Sequence, residues 1–147
     1  MKPGDIEAVQ ENRVGVQDEG SQLVALALAN VKIAGPETNW LDMCAGPGGK
    51  AAILAGIAAE HGADFTALEP TPARAKLVEN SIRNSPGEHE VIVTDARNFE
   101  PAEKFDRILV DAPCTGLGAL RRRPEARWRK QPSDVAVLAK LQTELLA

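Results

Sequence analysis

The run Ile108-Leu109-Val110-Asp111-Ala112-Pro113-Cys114-Thr115-Gly116-Leu117-Gly118 sets a carboxylate and a thiol at the end of an apolar, strand-like segment. The apolar residues would deliver Asp111, and a proline-stiffened turn would then present Cys114. A free thiol, with a pKa of about 8.5, needs only a modest shift to act as a nucleophile. One reaction that wants such a thiol is methylation of an unreactive pyrimidine carbon. Carbon 5 of cytosine is a poor nucleophile, but a thiolate added to carbon 6 makes an enamine-like ring whose carbon 5 can attack a methyl sulfonium. A base then removes the carbon-5 proton and the thiolate leaves. Asp111 could hydrogen-bond the cytosine edge and favour its electrophilic form. Enzymes that methylate exocyclic amines carry Asn or Asp, two prolines and an aromatic ring at this place; here the place holds Cys114, and the chain has no tyrosine. The same thiolate logic serves uracil, and the other reading of Cys114 is a buried spectator.

A second stretch, Leu41-Asp42-Met43-Cys44-Ala45-Gly46-Pro47-Gly48-Gly49-Lys50-Ala51, reads as a strand, a glycine turn and a helix start. Glycines there let backbone approach a ligand, and the helix start offers N–H groups to a carboxylate or phosphate. It is not a nucleoside-triphosphate loop, which would need glycine at position 44 and Ser or Thr at 51. Gly46-x-Gly48-x-x-Ala51 fits the looser dinucleotide pattern. Glu69, 20 residues after Gly49, stands where an acid can accept both hydroxyls of a ribose. Asp95, followed by Ala96, could hold an adenine amino group. Each acid alone reads equally as a helix cap or a solvated loop residue; three on successive strand ends favour an adenosyl cofactor. Lys50 would neutralise Asp42 or another acid of the site, unless it is an ordinary exposed lysine. Arg74 could reach back to the acidic edge or lie on a helix surface. Cys44 reads as a small buried residue, Trp40 as core, and His61 and His89 as exposed turn residues. No spacing suggests a metal site.

These groups need elements to carry them. Strands are expected from Asn39 to Cys44, Asp64 to Leu68, Glu90 to Thr94 and Arg107 to Asp111. Helices are expected from Gly49 to Glu60, stopped by His61-Gly62, and, beginning after Pro70 and Pro72, through Arg74, Leu77, Val78 and Ile82 to the Pro86-Gly87 break. The polar residues 1–12 read as a leader or linker, and Val14-Gly15-Val16 as a short extended piece. Asp18 or Ser21 would cap a helix through Leu23, Val24, Leu26, Ala27 and Val31, ended by Gly35-Pro36. A last helix, Pro132 to Ala147, carries Val135, Leu138, Leu141, Leu145 and Leu146 at helical spacing. Alternating strands and helices imply an α/β fold with a parallel sheet, whose right-handed crossovers bring all strand carboxyl ends to one ligand-binding edge.

Net charge is −4, which gives no general attraction to nucleic acid. Arg121, Arg122, Arg123, Arg127, Arg129 and Lys130 nevertheless crowd together with only Glu125 opposing them. They form either a solvated basic face or a local RNA contact, in which Trp128 could stack on a base. No apolar run of about 18 residues suggests a membrane span, and the start is not that of a signal peptide. Two unrelated cysteines suit a reducing cytoplasm.

With these motifs in view, the chain resembles the RsmB/Sun family of RNA cytosine carbon-5 methyltransferases, which also has nucleolar members. The resemblance rests on Gln17-Asp18-Glu19-Gly20-Ser21-Gln22, on Leu41 to Lys50, on Asp111 to Gly118, and on Arg121-Arg122-Arg123-Pro124-Glu125-Ala126-Arg127-Trp128, and spans Arg13 to Leu146. It implies a Rossmann-like, S-adenosylmethionine-dependent methyltransferase fold of seven strands. It also implies cofactor contacts at the glycine turn, Glu69, Asp95 and Asp111, and an unpaired cytosine of ribosomal RNA as substrate. Family members use two cysteines. The attacker lies in a Thr-Cys motif on a later strand, and the cysteine matching Cys114 resolves the adduct. The resemblance thus makes Cys114 the helper. No Thr-Cys pair occurs in this sequence, and Leu68-Glu69-Pro70-Thr71-Pro72 departs from the family's aspartate-rich second motif.

The expectation is therefore residues 13–147 as the first part of a catalytic domain, truncated after its fourth strand and inactive alone. That strand, central in a seven-stranded sheet, would be an open edge, and the expected consequence is pairing between chains, poor order after about Gly116, or low stability. Two rivals stand beside this reading: a non-catalytic module that binds cofactor or a partner, and a nicotinamide-dependent oxidoreductase. Asp111-Ala112-Pro113-Cys114 argues against the second.

Overall fold

The computed structural model describes residues 3–11, 13–121 and 124–147. It divides into one unit up to Asp111 and a second from Ala112 onward.

In the first unit, four strands form one parallel sheet: β1 (Asn39–Asp42), β2 (Asp64–Leu68), β3 (His89–Ile92) and β4 (Arg107–Leu109), in the order β3-β2-β1-β4. Trp40 lies in register with Phe65 on one side and with Arg107 on the other. The strand order reverses at β1. Such a switch point opens a crevice beyond the strand carboxyl ends, where ligands of open α/β sheets bind.

Helices α1 (Glu7–Gln10), α2 (Glu19–Asn30), α3 (Gly49–Glu60) and α4 (Pro72–Ile82) complete the unit. In α3, Ala51, Leu54, Ala55 and Ala58 recur at helical spacing and are all buried. Small side chains let this helix lie close to the sheet, where Trp40, Phe65 and Ala67 alternate inward. Val78 and Ile82 of α4 and Ala25 and Ala29 of α2 complete that core.

The strands are shorter than the sequence suggests. β1 ends at Asp42, because that side chain turns back to accept the N–H of Cys44 at 3.1 Å. β4 stops at Leu109, so Asp111 stands two residues beyond it. β3 starts at His89, which is half-buried in the sheet rather than in a turn. His61 follows α3 as expected but pairs with Glu37 at 3.0 Å. Residues of the expected leader form a 3-10 turn (Pro3–Asp5) and α1, while Met1, Lys2 and Asn12 lie outside the described residues. Val14, Gly15 and Val16 belong to no helix or strand.

The second unit holds the turn after Asp111, a 3-10 turn (Leu117–Ala119), α5 (Ala126–Arg129) and α6 (Pro132–Leu146). The capping box of α6 joins Gln131 to Asp134. The apolar face of α6 is Leu138, Leu141 and Leu145; Val135 and Leu146 are exposed. Gln142 shares that face and donates to the Pro113 carbonyl at 2.8 Å, which anchors the turn that bears Cys114. No helix among the described residues is long and apolar enough to cross a membrane.

Candidate functional site

The carboxyl edge of the sheet is locked by hydrogen bonds that continue past the strands. Met43 N–H donates to Leu109 O, Ala45 N–H to Leu68 O, and Glu69 N–H to Ile92 O, at 3.0, 3.0 and 3.2 Å. Each strand end is thereby held against its neighbour just where the acids stand.

The glycine turn is sterically demanding at two positions. A Cβ on Gly46 would fall 2.1 Å from Oε2 of Glu69 and 2.9 Å from Nη2 of Arg74. Gly48 has φ +111°, and a Cβ there would meet Ser81 Oγ at 2.6 Å. The Gly46-Pro47 peptide is cis. The turn leads directly into α3, whose first-turn N–H groups have no partner within the helix.

Glu69 is 2% exposed. Its Oε1 accepts the Thr71 N–H at 3.0 Å, and its Oε2 lies 3.5 Å from Arg74 Nη1. Arg74 also donates to the Gly46 carbonyl at 2.7 Å, so this exposed side chain of α4 reaches back to span the glycine turn and the β2 end. Lys50 pairs with Asp111 at 2.6 Å, with Ser21 Oγ 3.5 Å from the same ammonium. Of the acids open to it in the sequence, Lys50 thus neutralises Asp111. Asp42 is 1% exposed. Burial, and next the charge of Asp111, pushes its carboxyl up to about 6 against the pull of the Cys44 N–H and Lys50. Asp95 caps the 3-10 turn Ala96–Asn98 and binds Arg97 through both oxygens, at 3.0 and 2.7 Å, which holds its carboxyl below the usual range.

Cys44 is half-buried, just past β1. Its thiol is pushed up to about 11 by burial and then by Asp42, Asp111, Glu69 and Asp95. One sulfur thus feels a carboxylate from the end of every strand in the sheet. Burial first, and then the acids of this edge, favour the protonated form of the Cys44 thiol.

Cys114 belongs to the second unit and is exposed, not a buried spectator. Trp128 is 81% exposed, and Trp40 is core at 1%. Arg121, Arg127, Arg129 and Lys130 are exposed, whereas Arg122 and Arg123 lie outside the described residues. Among the described residues, no group of three or more His, Cys, Asp or Glu could hold a metal ion.

Three side chains gain tasks that sequence reasoning does not assign them. Ser21 reaches Lys50, and Gln17 lies against Gly49, whose Cβ would come 3.2 Å from the Gln17 amide. The signal for both is the Gln17 to Gln22 motif, which the sequence marks without saying what it touches. The third is Gln142, whose signal is a polar residue amid Leu138, Leu141 and Leu145.

Residues 28–147 match the family model described as "16S rRNA methyltransferase RsmB/F". The chain is 57% identical over 145 residues to a Mycobacterium tuberculosis (strain ATCC 25618 / H37Rv) protein named "Putative methyltransferase Rv1407", covering 99% of this chain and 31% of that protein. It is 37% identical to the ribosomal RNA small subunit methyltransferase B of Vibrio cholerae, covering 92% of this chain and 31% of the relative. The crystal structure of PH0851 superposes with a TM-score of 0.84 at 28% identity, covering 99% of this chain and 33% of that one. The chain thus spans about a third of the length of the proteins it matches.

Proposed function

Because the chain belongs to the 16S rRNA methyltransferase RsmB/F family, we propose that it forms the methyl-donor half of an S-adenosylmethionine-dependent enzyme that methylates carbon 5 of an unpaired cytosine in ribosomal RNA. The observation that carries this reading is the gathering of Asp42, Glu69 and Asp111 at the carboxyl ends of adjoining parallel strands, tied through Lys50 and Arg74 to a glycine turn that has no room for a Cβ at Gly46.

That donor set fits the cofactor chemically. The methyl donor carries a sulfonium and an ammonium, both cationic, and a carboxylate. An edge of four acids suits the first two, and the amides at the start of α3 suit the third. Cys44, Ala45, Gly46, Pro47, Gly48, Gly49 and Lys50 would line the amino-acid end, Glu69 and Arg74 the ribose, and Asp95 and Ala96 the adenine. When bound, the donor supplies an electrophilic methyl group.

The chain's own residues then hold the substrate. Asp111, oriented by its 2.6 Å pair with Lys50, accepts a hydrogen bond from the cytosine edge. Cys114, exposed on its turn, serves in resolving the covalent adduct, the role the family resemblance gives it. The attacking thiolate belongs to a Thr-Cys pair that no position of this sequence provides. The 147-residue chain therefore binds the donor without turnover, and a cytoplasmic location goes with this reading.

Calorimetry with S-adenosylmethionine and with NADH is the direct test. The expected result is binding of the methyl donor alone, with Gly46→Ala weakening it by about tenfold or more, a loss of ~1.4 kcal/mol, by displacing Glu69. Binding of NADH but not the donor would overturn the reading in favour of an oxidoreductase. Tritiated methyl transfer to unmodified ribosomal RNA by this chain alone would overturn the assignment of the attacking thiol.

A further inference from the structure

The two tryptophans have opposite fates: Trp40 is 1% exposed and Trp128 is 81% exposed. Tryptophan is highly buried on average, so a ring left in water asks for an explanation. Other exposed apolar residues, such as Val135, Val137 and Leu146 on α6, stand in an apolar helix. Trp128 stands instead among cations. Arg127 and Arg129 flank it, Lys130 follows, and all three are exposed, as is Arg121. Glu125 alone opposes them nearby, in a chain whose net charge is −4.

We propose that Trp128 is a stacking platform for an unpaired base of the RNA substrate, with Arg127, Arg129 and Lys130 holding the adjoining phosphates. This rests on RNA as the substrate and adds a second, base-tolerant contact to it. An aromatic face accepts any base, because every base has a π-face, while guanidinium groups fix the backbone. Duplex RNA is a poor ligand for such a surface, because its bases are already stacked and its major groove is too narrow for side chains. The positive charge is local, and so is the contact.

The test uses the 147-residue chain and short fluorescein-labelled oligocytidine, oligoadenylate and a hairpin duplex. Both single strands are expected to bind, and the hairpin more weakly. Trp128→Ala should weaken binding about tenfold, equivalent to ~1.4 kcal/mol and within the range of one base–ring stack. Trp128→Phe should retain most of the affinity. Tryptophan emission should be quenched by oligonucleotide in the unaltered chain and not in Trp128→Ala, where only Trp40 emits. The double variant Arg127→Ala, Arg129→Ala should lower the salt slope by roughly 0.7 for each phosphate no longer held. Circular dichroism and unchanged Trp40 emission would establish that the variants fold. Equal affinity of Trp128→Ala overturns the platform. So does emission that shifts only with chain concentration, which would assign the surface to a second copy. Failure of every oligonucleotide to bind also overturns it, but leaves the methyl-donor reading to calorimetry.

Discussion

At the amino-terminal end of the sheet, Arg107 is 4% exposed and every guanidinium nitrogen has a partner. The group meets both oxygens of Glu37 at 3.1 and 3.0 Å, the carbonyls of Leu28 and Val31, and the face of Trp40 at 5.0 Å. His61 joins Glu37, and Asp106 accepts the N–H groups of Thr38 and Asn39 at 2.7 and 3.0 Å. Glu37 and Asp106 are consequently held below the usual carboxylate range by hydrogen bonds. The carboxyl end gathers four acids, with Lys50, Arg74 and Arg97 as the cations within reach, and there Asp42 is pushed up. One end of the sheet uses its charges to hold the chain together. The other carries charge that is only partly answered from within, which is the condition for binding a cationic ligand.

The comparison breaks first at Arg107. Arg107→Met leaves Glu37 with His61 alone and takes the guanidinium from the Val31 carbonyl, while the Leu28 carbonyl keeps the Val31 N–H; it should cost about 3 kcal/mol, the upper range for hydrogen bonds to a charged group. Urea unfolding measures it. A loss below about 1 kcal/mol, the level of an exposed pair, would mean that the amino-terminal network is ornamental and that the contrast between the two ends is false.

Arg107 also shows where the sequence stops being readable. The alternation of strands and helices, the α3 boundaries and the glycine turn are legible because each depends on local pattern: small apolar residues at helical spacing, Gly and Pro at the breaks. The acids at the strand ends are legible for the same reason, since each follows an apolar run. What the sequence hides are links between distant positions. Nothing near Arg107 points to Glu37 or to the carbonyls at the end of α2. Lys50 has several acids to choose from, and only the parallel pairing of β1 with β4 brings Asp111 within 2.6 Å. Arg74 reads equally as a reach to the acidic edge or as a helix-surface residue until the fold brings it to Glu69 and the Gly46 carbonyl. The end of β1 falls two residues short of expectation where Asp42 caps its own turn, a side-chain choice that hydrophobic pattern does not record.

Asp42 gives the next effect in size and the opposite sign. Between its ordinary 3.8 and about 6, the folded chain keeps a proton on Asp42 that the unfolded chain has released. Stability therefore falls as pH rises through that window, and the full cost, about 3 kcal/mol, stands above it. Asp42→Asn keeps an acceptor for the Cys44 N–H and should stabilise the chain by about 1–3 kcal/mol at a pH of about 8 but not at about 3.5. Glu37 and Asp106 act in reverse. Their contribution is present above the ordinary carboxylate range and is lost as pH falls through their lowered values. Unfolding free energies of Asp42→Asn at the two pH values check this, and an equal gain at both would remove the burial cost from the account.

The smallest effect concerns where the sheet ends. Among the described residues, β4 is an edge strand, and Ile108 on it is 46% exposed. An edge presents unpaired backbone donors and acceptors, and an apolar side chain on it invites a second strand. β4 is only three residues long, however, and so few ladder bonds give weak association. Sedimentation velocity should show a monomer at low micromolar concentration and a growing dimer fraction toward the millimolar range. Ile108→Lys should suppress that dimer while leaving methyl-donor binding intact, because Ile108 lies within the strand and the acids stand beyond its end. If association persists in Ile108→Lys, the contact lies elsewhere. A chain that stays monomeric at every concentration would mean that the carboxyl-end loops, not an exposed strand, are the one reactive boundary of this sheet.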